Sequence, residues 1–251
     1  MSKKTPGAPK EVANYQPRVT SSRSTYVMIG VAVAVAALII GGLVWNNTRS
    51  YPPVDDKVLA ENAAFIVGDA NVQDSAKVVT VDVFEDFTCP ACKQFEGQSG
   101  AALAAAVQAG QMRVRYHLLT FMDEKSPSGD YSSRGAGAIL CLARGGDSVQ
   151  VFNRLHAELF AKAGGDSDPD NAAIAVMAAQ AGASEATQKC IADGAQVDAA
   201  KKMADASRTQ LANSNEGKVA TPTVLVAGEA VEGIMDGDAW IANLITGGPS
   251  N

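Results

Sequence analysis

A run of β-branched and apolar residues, Val78-Val79-Thr80-Val81-Asp82-Val83-Phe84, leads within a few positions into Cys89-Pro90-Ala91-Cys92. Such a run reads as a strand buried on both faces. A helix-forming stretch, Lys93 to Ala109, follows and stops at Gly110. Met112 to Leu119 then alternates, with Met112, Val114, Tyr116 and Leu118 on one face and Arg113, Arg115 and His117 on the other. That pattern predicts a half-exposed strand. Strand, helix and strand in this order define a βαβ unit with a right-handed crossover, and so an α/β fold.

The junction between first strand and helix carries the chemistry. A dithiol catalyst needs one ionised cysteine and a second within bonding distance to resolve a mixed disulfide. Two intervening residues at a helix start meet both needs. Cys89 would lie where free backbone N–H groups point at its sulfur, and Cys92 one turn in. Pro90 suits the first turn because its missing N–H is no loss there. Cys89 is therefore expected as nucleophile and Cys92 as resolving thiol. A structural disulfide or half of a zinc site is the alternative. Zinc needs about four ligands, and the chain offers no second C-x-x-C and only two histidines. His117 shares a strand face with two arginines and is expected to meet solvent. His156 falls in a helical stretch and is expected to be ordinary surface or core. No metal site is predicted.

Around this unit, Phe65-Ile66-Val67 forms at most a short strand ended by Gly68-Asp69. Residues 126–215 change character, with helical segments stopped at Gly145-Gly146, Gly164-Gly165, Gly182 and Gly194. Ser184 and Asp168 are candidate N-caps. We read 126–215 as an all-helical insertion. Strands return at Thr223–Ala227 and Ala230–Ile234 across a Gly228-Glu229 turn, and a last helix, Asp238 to Ile245, ends at Gly247-Gly248. Pro222 directly precedes a strand, where a residue unable to donate to the ladder is awkward. It is either a trans-proline at a strand start or a cis Thr221–Pro222 bond that brings this loop against the redox pair.

Tyr26 to Trp45 holds twenty residues without a charge, enough at about 1.5 Å per residue to cross the roughly 30 Å core of a bilayer. Aromatic residues stand at both ends, as the membrane interface favours. The run is long for a signal peptide, and Leu43-Val44-Trp45-Asn46-Asn47 is not a small-residue cleavage site. An uncleaved single-pass anchor is expected. Residues 1–25 carry five basic side chains against Glu11, a net +4; the chain totals −6, so everything after them sums to −10. The basic tail then stays in the cytoplasm and the acidic body is exported at the cell membrane. An acidic body with no basic patch excludes nucleic acid as a partner. Residues 46–60 read as a linker. All four cysteines fall on the exported side, where disulfides persist. The economical pairing is Cys89–Cys92 with Cys141–Cys190; the alternative for the latter is two buried free thiols. A Cys141–Cys190 bond would close a loop of about 50 residues, worth roughly 4 kcal/mol.

The run Phe84-Glu85-Asp86-Phe87-Thr88-Cys89-Pro90-Ala91-Cys92 resembles the DsbA-like thiol–disulfide oxidoreductases, especially the membrane-anchored forms of Gram-positive-type, mycobacterial-like bacteria. The resemblance spans roughly residues 60 to 248. It implies a thioredoxin fold, built from 61–125 and 216–251, with 126–215 inserted. It implies a cis Pro222 facing the active site, and Thr221 offering its backbone to substrate. It also implies donation of disulfides to reduced exported proteins, and reoxidation by a membrane partner of the DsbB or vitamin K epoxide reductase type. No cofactor beyond the Cys89–Cys92 disulfide is implied. Two departures matter. The best-known DsbA has histidine where Ala91 stands, so Cys89 is expected to be depressed less far and the protein to be a milder oxidant. Val83, six residues before Cys89, replaces a common buried acid, and Glu85 and Asp86 differ from it in strand phase, so neither is expected to relay protons. Isomerase and reductase are alternatives within the same chemistry. Without a dimerisation domain between anchor and core, a monomer is expected. A Cu(I) chaperone is the alternative from another class, but no Met or His adjoins Cys89. A redox-dead binding module is opposed by the presence of both cysteines.

Overall fold

The computed structural model describes residues 22–47, 51–68 and 78–247. The expected basic tail lies almost wholly outside these residues. Ser22–Asn47 is one helix, α1, with side chains described over 26–41. Among the described residues no helix is long and apolar enough to cross a membrane; the anchor expected over Tyr26–Trp45 runs past the described side chains of α1 and returns below as a proposal. Helix α1 and the described residues from Tyr51 onward belong to separate units.

The second unit opens with α2 (Asp56–Asn62), which begins inside the stretch 46–60 read as linker. Asp55 caps it, its carboxylate accepting from the Lys57 and Val58 amides. Strand β1 (Phe65–Val67) follows. Next come β2 (Val79–Glu85), α3 (Pro90–Gln108) and β3 (Met112–Leu118). β2 and β3 are parallel, Val81 opposite Val114, which is the predicted βαβ unit. Five helices follow: α4 (Tyr131–Gly145), α5 (Val149–Lys162), α6 (Asn171–Ala181), α7 (Glu185–Ala192) and α8 (Val197–Ser214). Ser184 caps α7 as expected. Asp170, not Asp168, caps α6, because the Asp168 carboxylate is taken by the amide and hydroxyl of Ser128. Strand β4 (Thr223–Val226) turns through Ala227 and Gly228 into β5 (Glu229–Ala230), and α9 (Ala239–Thr246) closes the chain. β5 is far shorter than the expected Ala230–Ile234. Both turn residues have positive φ, 51° and 85°, the twist that tight hairpins require.

The sheet order is β1-β3-β2-β4-β5, with β2–β3 the parallel pair. β2 and β3 are thus central, and each face is covered. On one face Val81, Val83 and Phe87 join Phe95 and Leu103 of α3, Phe152 and Leu159 of α5 and Trp240 of α9 in the main core. On the other, Phe84 and Leu225 pack with Leu59 of α2 and Leu211 of α8.

This second cover corrects the reading of β3. Every residue of β3 is buried, because α2 and α8 lie over the face expected to be wet. Two of its polar side chains, Arg115 and His117, are satisfied internally. Arg115 donates from Nε and Nη2 to the two oxygens of Asp82, at 2.7 and 2.6 Å, and from Nη2 to Asp56. His117, expected at the surface, is fully buried, with Nε2 2.8 Å from Asp82 and Nδ1 2.9 Å from the Ser207 hydroxyl of α8. Burial, with Arg115 adding to it, outweighs the Asp82 contacts and holds His117 below its ordinary pKa. Burial opposes the Asp82 charge too, but His117 and Arg115 outweigh it and keep that carboxylate low.

Candidate active site

The end of β2 delivers five residues, Glu85 to Cys89, to the start of α3. Cys89 is the N-cap, in extended conformation, and Pro90 begins the helix. The helix therefore starts three residues before the predicted Lys93, and both cysteines belong to its first turn. Cys89 retains 6% exposure and Cys92 none. Both are free thiols here.

The loop before Cys89 is fixed by Asp86, which is fully buried. Its carboxylate accepts from the Thr88 amide at 3.0 Å, the Met122 amide at 3.0 Å and the Ser132 hydroxyl of α4. Its carbonyl accepts from the Cys89 amide at 2.9 Å. Burial raises the Asp86 pKa to about 6 against these hydrogen bonds. Phe87 packs directly on α4, where a Cβ at Gly135 would stand 2.5 Å from its ring. Only glycine permits that approach.

The Thr221–Pro222 bond is cis, and the Thr221 carbonyl lies 3.4 Å from Cys89 Sγ. Of the two possibilities left open for Pro222, the structure thus adopts the cis form, beside the redox pair. Cys89 is driven down to about 5, first by the Cys92 thiol donating to it, then, against burial, by Thr221 and the Cys92 and Ala91 amides at the start of α3. The carbonyl contact belongs to the protonated thiol. The Thr221 hydroxyl, buried and without a partner among the described residues, is the group able to serve the thiolate. Ala91 contributes only its amide, so no cation acts where the resemblance led one to look for a histidine. Cys92 is pushed far up, first by burial, then by donating to Cys89 and by the charge of Glu85. One sulfur is thus poised as thiolate and its neighbour held as thiol.

Cys141 of α4 and Cys190 of α7 are joined, Cα atoms 5.9 Å apart, away from the pair at α3.

One group escaped the sequence reading. Val83 and Glu85 are two apart, hence on the same face of β2, and the phase argument against Glu85 fails. Glu85 and His156, on α5, are both buried. His156 Nε2 lies 3.2 Å from Glu85, and its Nδ1 3.5 Å from Glu96 of α3. Ligand-type atoms of the three lie within 4.8 Å of one another, but the carboxylates engage opposite nitrogens of one ring, an arrangement that suits a shared proton better than one ion. The signal was present: Phe152, Leu155, Leu159 and Phe160 mark the buried stripe of α5, and His156 falls inside it.

Comparison with known proteins agrees with this geometry. The family model described as Thioredoxin matches residues 70–244. The serine/threonine-protein kinase PknE of Mycobacterium tuberculosis is 32% identical over 179 residues, 69% of this chain; the chain spans only 31% of that protein's length. Oxidised DsbA of M. tuberculosis is 32% identical, with 66% of this chain and 84% of that one covered and a TM-score of 0.55. MdbA, a thiol-disulfide oxidoreductase from Corynebacterium diphtheriae, shares the fold at 22% identity, covering 80% and 94% of the two chains, with a TM-score of 0.62. The chain belongs to the thioredoxin family, among its DsbA-like thiol–disulfide oxidoreductases.

Proposed function

We propose that this protein is a membrane-anchored disulfide oxidase acting on reduced exported proteins. The observation that carries this reading is the polarised pair, with Cys89 down at about 5 beside a sealed Cys92 thiol. In the oxidised enzyme a substrate thiolate attacks Cys89 Sγ. The Cys89–Cys92 bond breaks, its electron pair passes to Cys92, and a substrate–Cys89 disulfide forms. A second substrate thiolate then attacks the substrate sulfur and Cys89 leaves as a thiolate. A leaving group of low pKa departs readily, and a stabilised thiolate favours the reduced enzyme, which makes the oxidised form a good oxidant. Thr221, beside Cys89 at the cis-proline, would present its backbone to the substrate chain.

The apolar Tyr26–Trp45 span and the +4 tail support a single-pass anchor with the catalytic unit outside the cytoplasm. The Cys141–Cys190 bond is in keeping with an oxidising compartment, and we assign it a structural role. Each turnover leaves a dithiol, so a membrane reoxidase of the DsbB or vitamin K epoxide reductase type must accept two electrons. We take the working unit as a monomer. No cofactor other than the disulfide enters these steps.

Two measurements test the reading: the reduction potential of Cys89–Cys92 against glutathione, and oxidative refolding of a reduced substrate protein. A potential well above the roughly −270 mV of thioredoxin, with disulfides appearing in substrate, is expected. A thioredoxin-like potential without substrate oxidation would make it a reductase. Rescue of scrambled but not reduced substrate would make it an isomerase.

A further inference from the structure

Three donors from three different segments converge on one carboxylate. Asp86 Oδ1 accepts from the Thr88 amide at 3.0 Å and from the Ser132 hydroxyl of α4, and Oδ2 accepts from the Met122 amide at 3.0 Å. The Asp86 main chain serves the redox pair itself. Its carbonyl accepts from the Cys89 amide at 2.9 Å, and its amide acts as a donor that lowers Cys92. One residue thus ties together the active-site turn, the loop after β3 and the helical insertion.

The start of α4 makes this possible. Its N-cap, Asp130, forms no side-chain cap bond, so the free groups of the first turn find acceptors elsewhere. Ser133 gives its amide, at 2.9 Å, and its hydroxyl to Asp123, and Ser132 gives its hydroxyl to Asp86. The Ser132 oxygen also lies 2.7 Å from Thr88 Oγ1 and 3.3 Å from the Thr88 amide, so α4 grips the residue before Cys89. Of the charged groups, Asp123 acts on Asp86 from the loop after β3. Arg134 of α4 is engaged by Asp130, the Ser128 hydroxyl and the Pro169 carbonyl, and α3 presents Cys89 and Cys92. An ionised carboxylate offers acceptors to all three donors at once. Asparagine would set an NH2 group against either the Thr88 or the Met122 amide. A proton on Oδ2 would face the Met122 amide, and one on Oδ1 would turn the Ser132 hydroxyl away toward Thr88.

We propose that the charged Asp86 carboxylate is a positioning residue for Cys89, through which the helical insertion holds the nucleophile's turn in the geometry that favours its thiolate. The proposal deepens the oxidase reading and rests on it, since a stabilised Cys89 thiolate is what gives the disulfide its oxidising strength. The leading effects on Cys89 come from the Cys92 thiol, Thr221 and the amides that open α3, not from the Asp86 charge. Asp86 acts through where it places those groups. Burial, with Asp123 adding to it, raises Asp86 to about 6 against its three donors. The tie is therefore complete at neutral pH and loosens as acid neutralises the carboxylate.

The sign of a shift tests this. Removing a negative charge near a thiol lowers the thiol's pKa; removing a group that positions its donors raises it. Asp86→Asn should raise the Cys89 midpoint, read by thiolate absorbance at 240 nm, by about one pH unit, a tenfold loss of preference for the thiolate. The Cys89–Cys92 potential should become more reducing with it. Ser132→Ala, which removes one donor of the three, should give a smaller rise of the same sign, and it decides the matter if Asp86→Asn does not fold. In oxidised wild type, where Cys89 has no proton to lose, the Thr88 and Met122 amide resonances should move together with a midpoint near 6. A Cys89 midpoint that falls or stays unchanged in folded variants overturns the proposal. So do Thr88 and Met122 amides that ignore pH across that midpoint. A wild type whose Cys89 titrates low yet oxidises no substrate refutes the oxidase reading instead, and the sign of the Cys89 shift is still read.

Discussion

Replacing Cys92 by alanine should raise the pKa of Cys89, and the size of the rise tests the electrostatics of the site. The folded protein holds Cys89 at about 5 against an ordinary 9.0. Four pH units correspond to about 5.4 kcal/mol of preferential thiolate stabilisation. A helix N-terminus supplies up to about 2 kcal/mol. The remainder falls to specific donors, led by the Cys92 thiol, and a hydrogen bond to a charged group is worth about 1.5–3 kcal/mol. Cys92→Ala should therefore lift the midpoint by about 1–2 pH units, while Cys92→Ser, which keeps a donor, should hold it low. Absorbance at 240 nm reads the thiolate directly. A depressed pKa stabilises the reduced fold in full only above the unfolded pKa of 9.0 and loses that contribution as pH falls through 5. At pH 7 it amounts to about 2.7 kcal/mol, or about 60 mV of added oxidising potential. A wild-type midpoint between 8 and 9, or a Cys92→Ala protein titrating with wild type, would refute the reasoning.

Three further outcomes are expected. Asp82→Asn removes the anion that pairs with Arg115 and His117, and breaking a buried pair should cost about 3–5 kcal/mol, read as a lowered urea midpoint with exchange activity retained per folded molecule. Serine at both Cys141 and Cys190, 49 positions apart, should lose up to about 4 kcal/mol and lower Tm by about 8–16 °C, leaving the Cys89 titration unchanged. Gly135→Ala drives a methyl into the Phe87 ring, two residues before Cys89. It should cost about 1–3 kcal/mol and also reduce the disulfide-exchange rate, which thermal melting and peptide oxidation would show together.

The active-site turn was legible because its determinants are local. A β-branched run, a C-P-A-C at a helix start and a proline before a late strand each act over a few residues, and they lie where those patterns put them. Alternation misled at β3 for a definite reason. The polar face of Arg113, Arg115 and His117 has the period of a wet strand, yet its partners come from far along the chain: Asp82 from β2, Asp56 from α2 and Ser207 from α8. Nothing local distinguishes a polar face that meets water from one that meets a buried counter-charge. The short helix α2 was hidden for a related reason. Its seven residues gain their stability from packing Leu59 against Phe84 and Leu211, not from propensity.

The two polar networks share strand β2 but serve opposite faces of it. Asp82 points to the α2–α8 side with a full set of partners: a bidentate arginine and an imidazole, both at hydrogen-bonding distance. Satisfied on every side, it is held in one ionisation state and fixes the register of α8 against the sheet. Glu85 points to the other side, with one imidazole that it must share with Glu96 and no well-formed hydrogen bond. A fully satisfied buried charge keeps its ionisation state, because any change of state forfeits its partners. An incompletely satisfied one sits close to the balance between its two forms. The contrast between these two acids, three residues apart on one strand, is the physical reason that partners hold the first carboxylate low while burial raises the second.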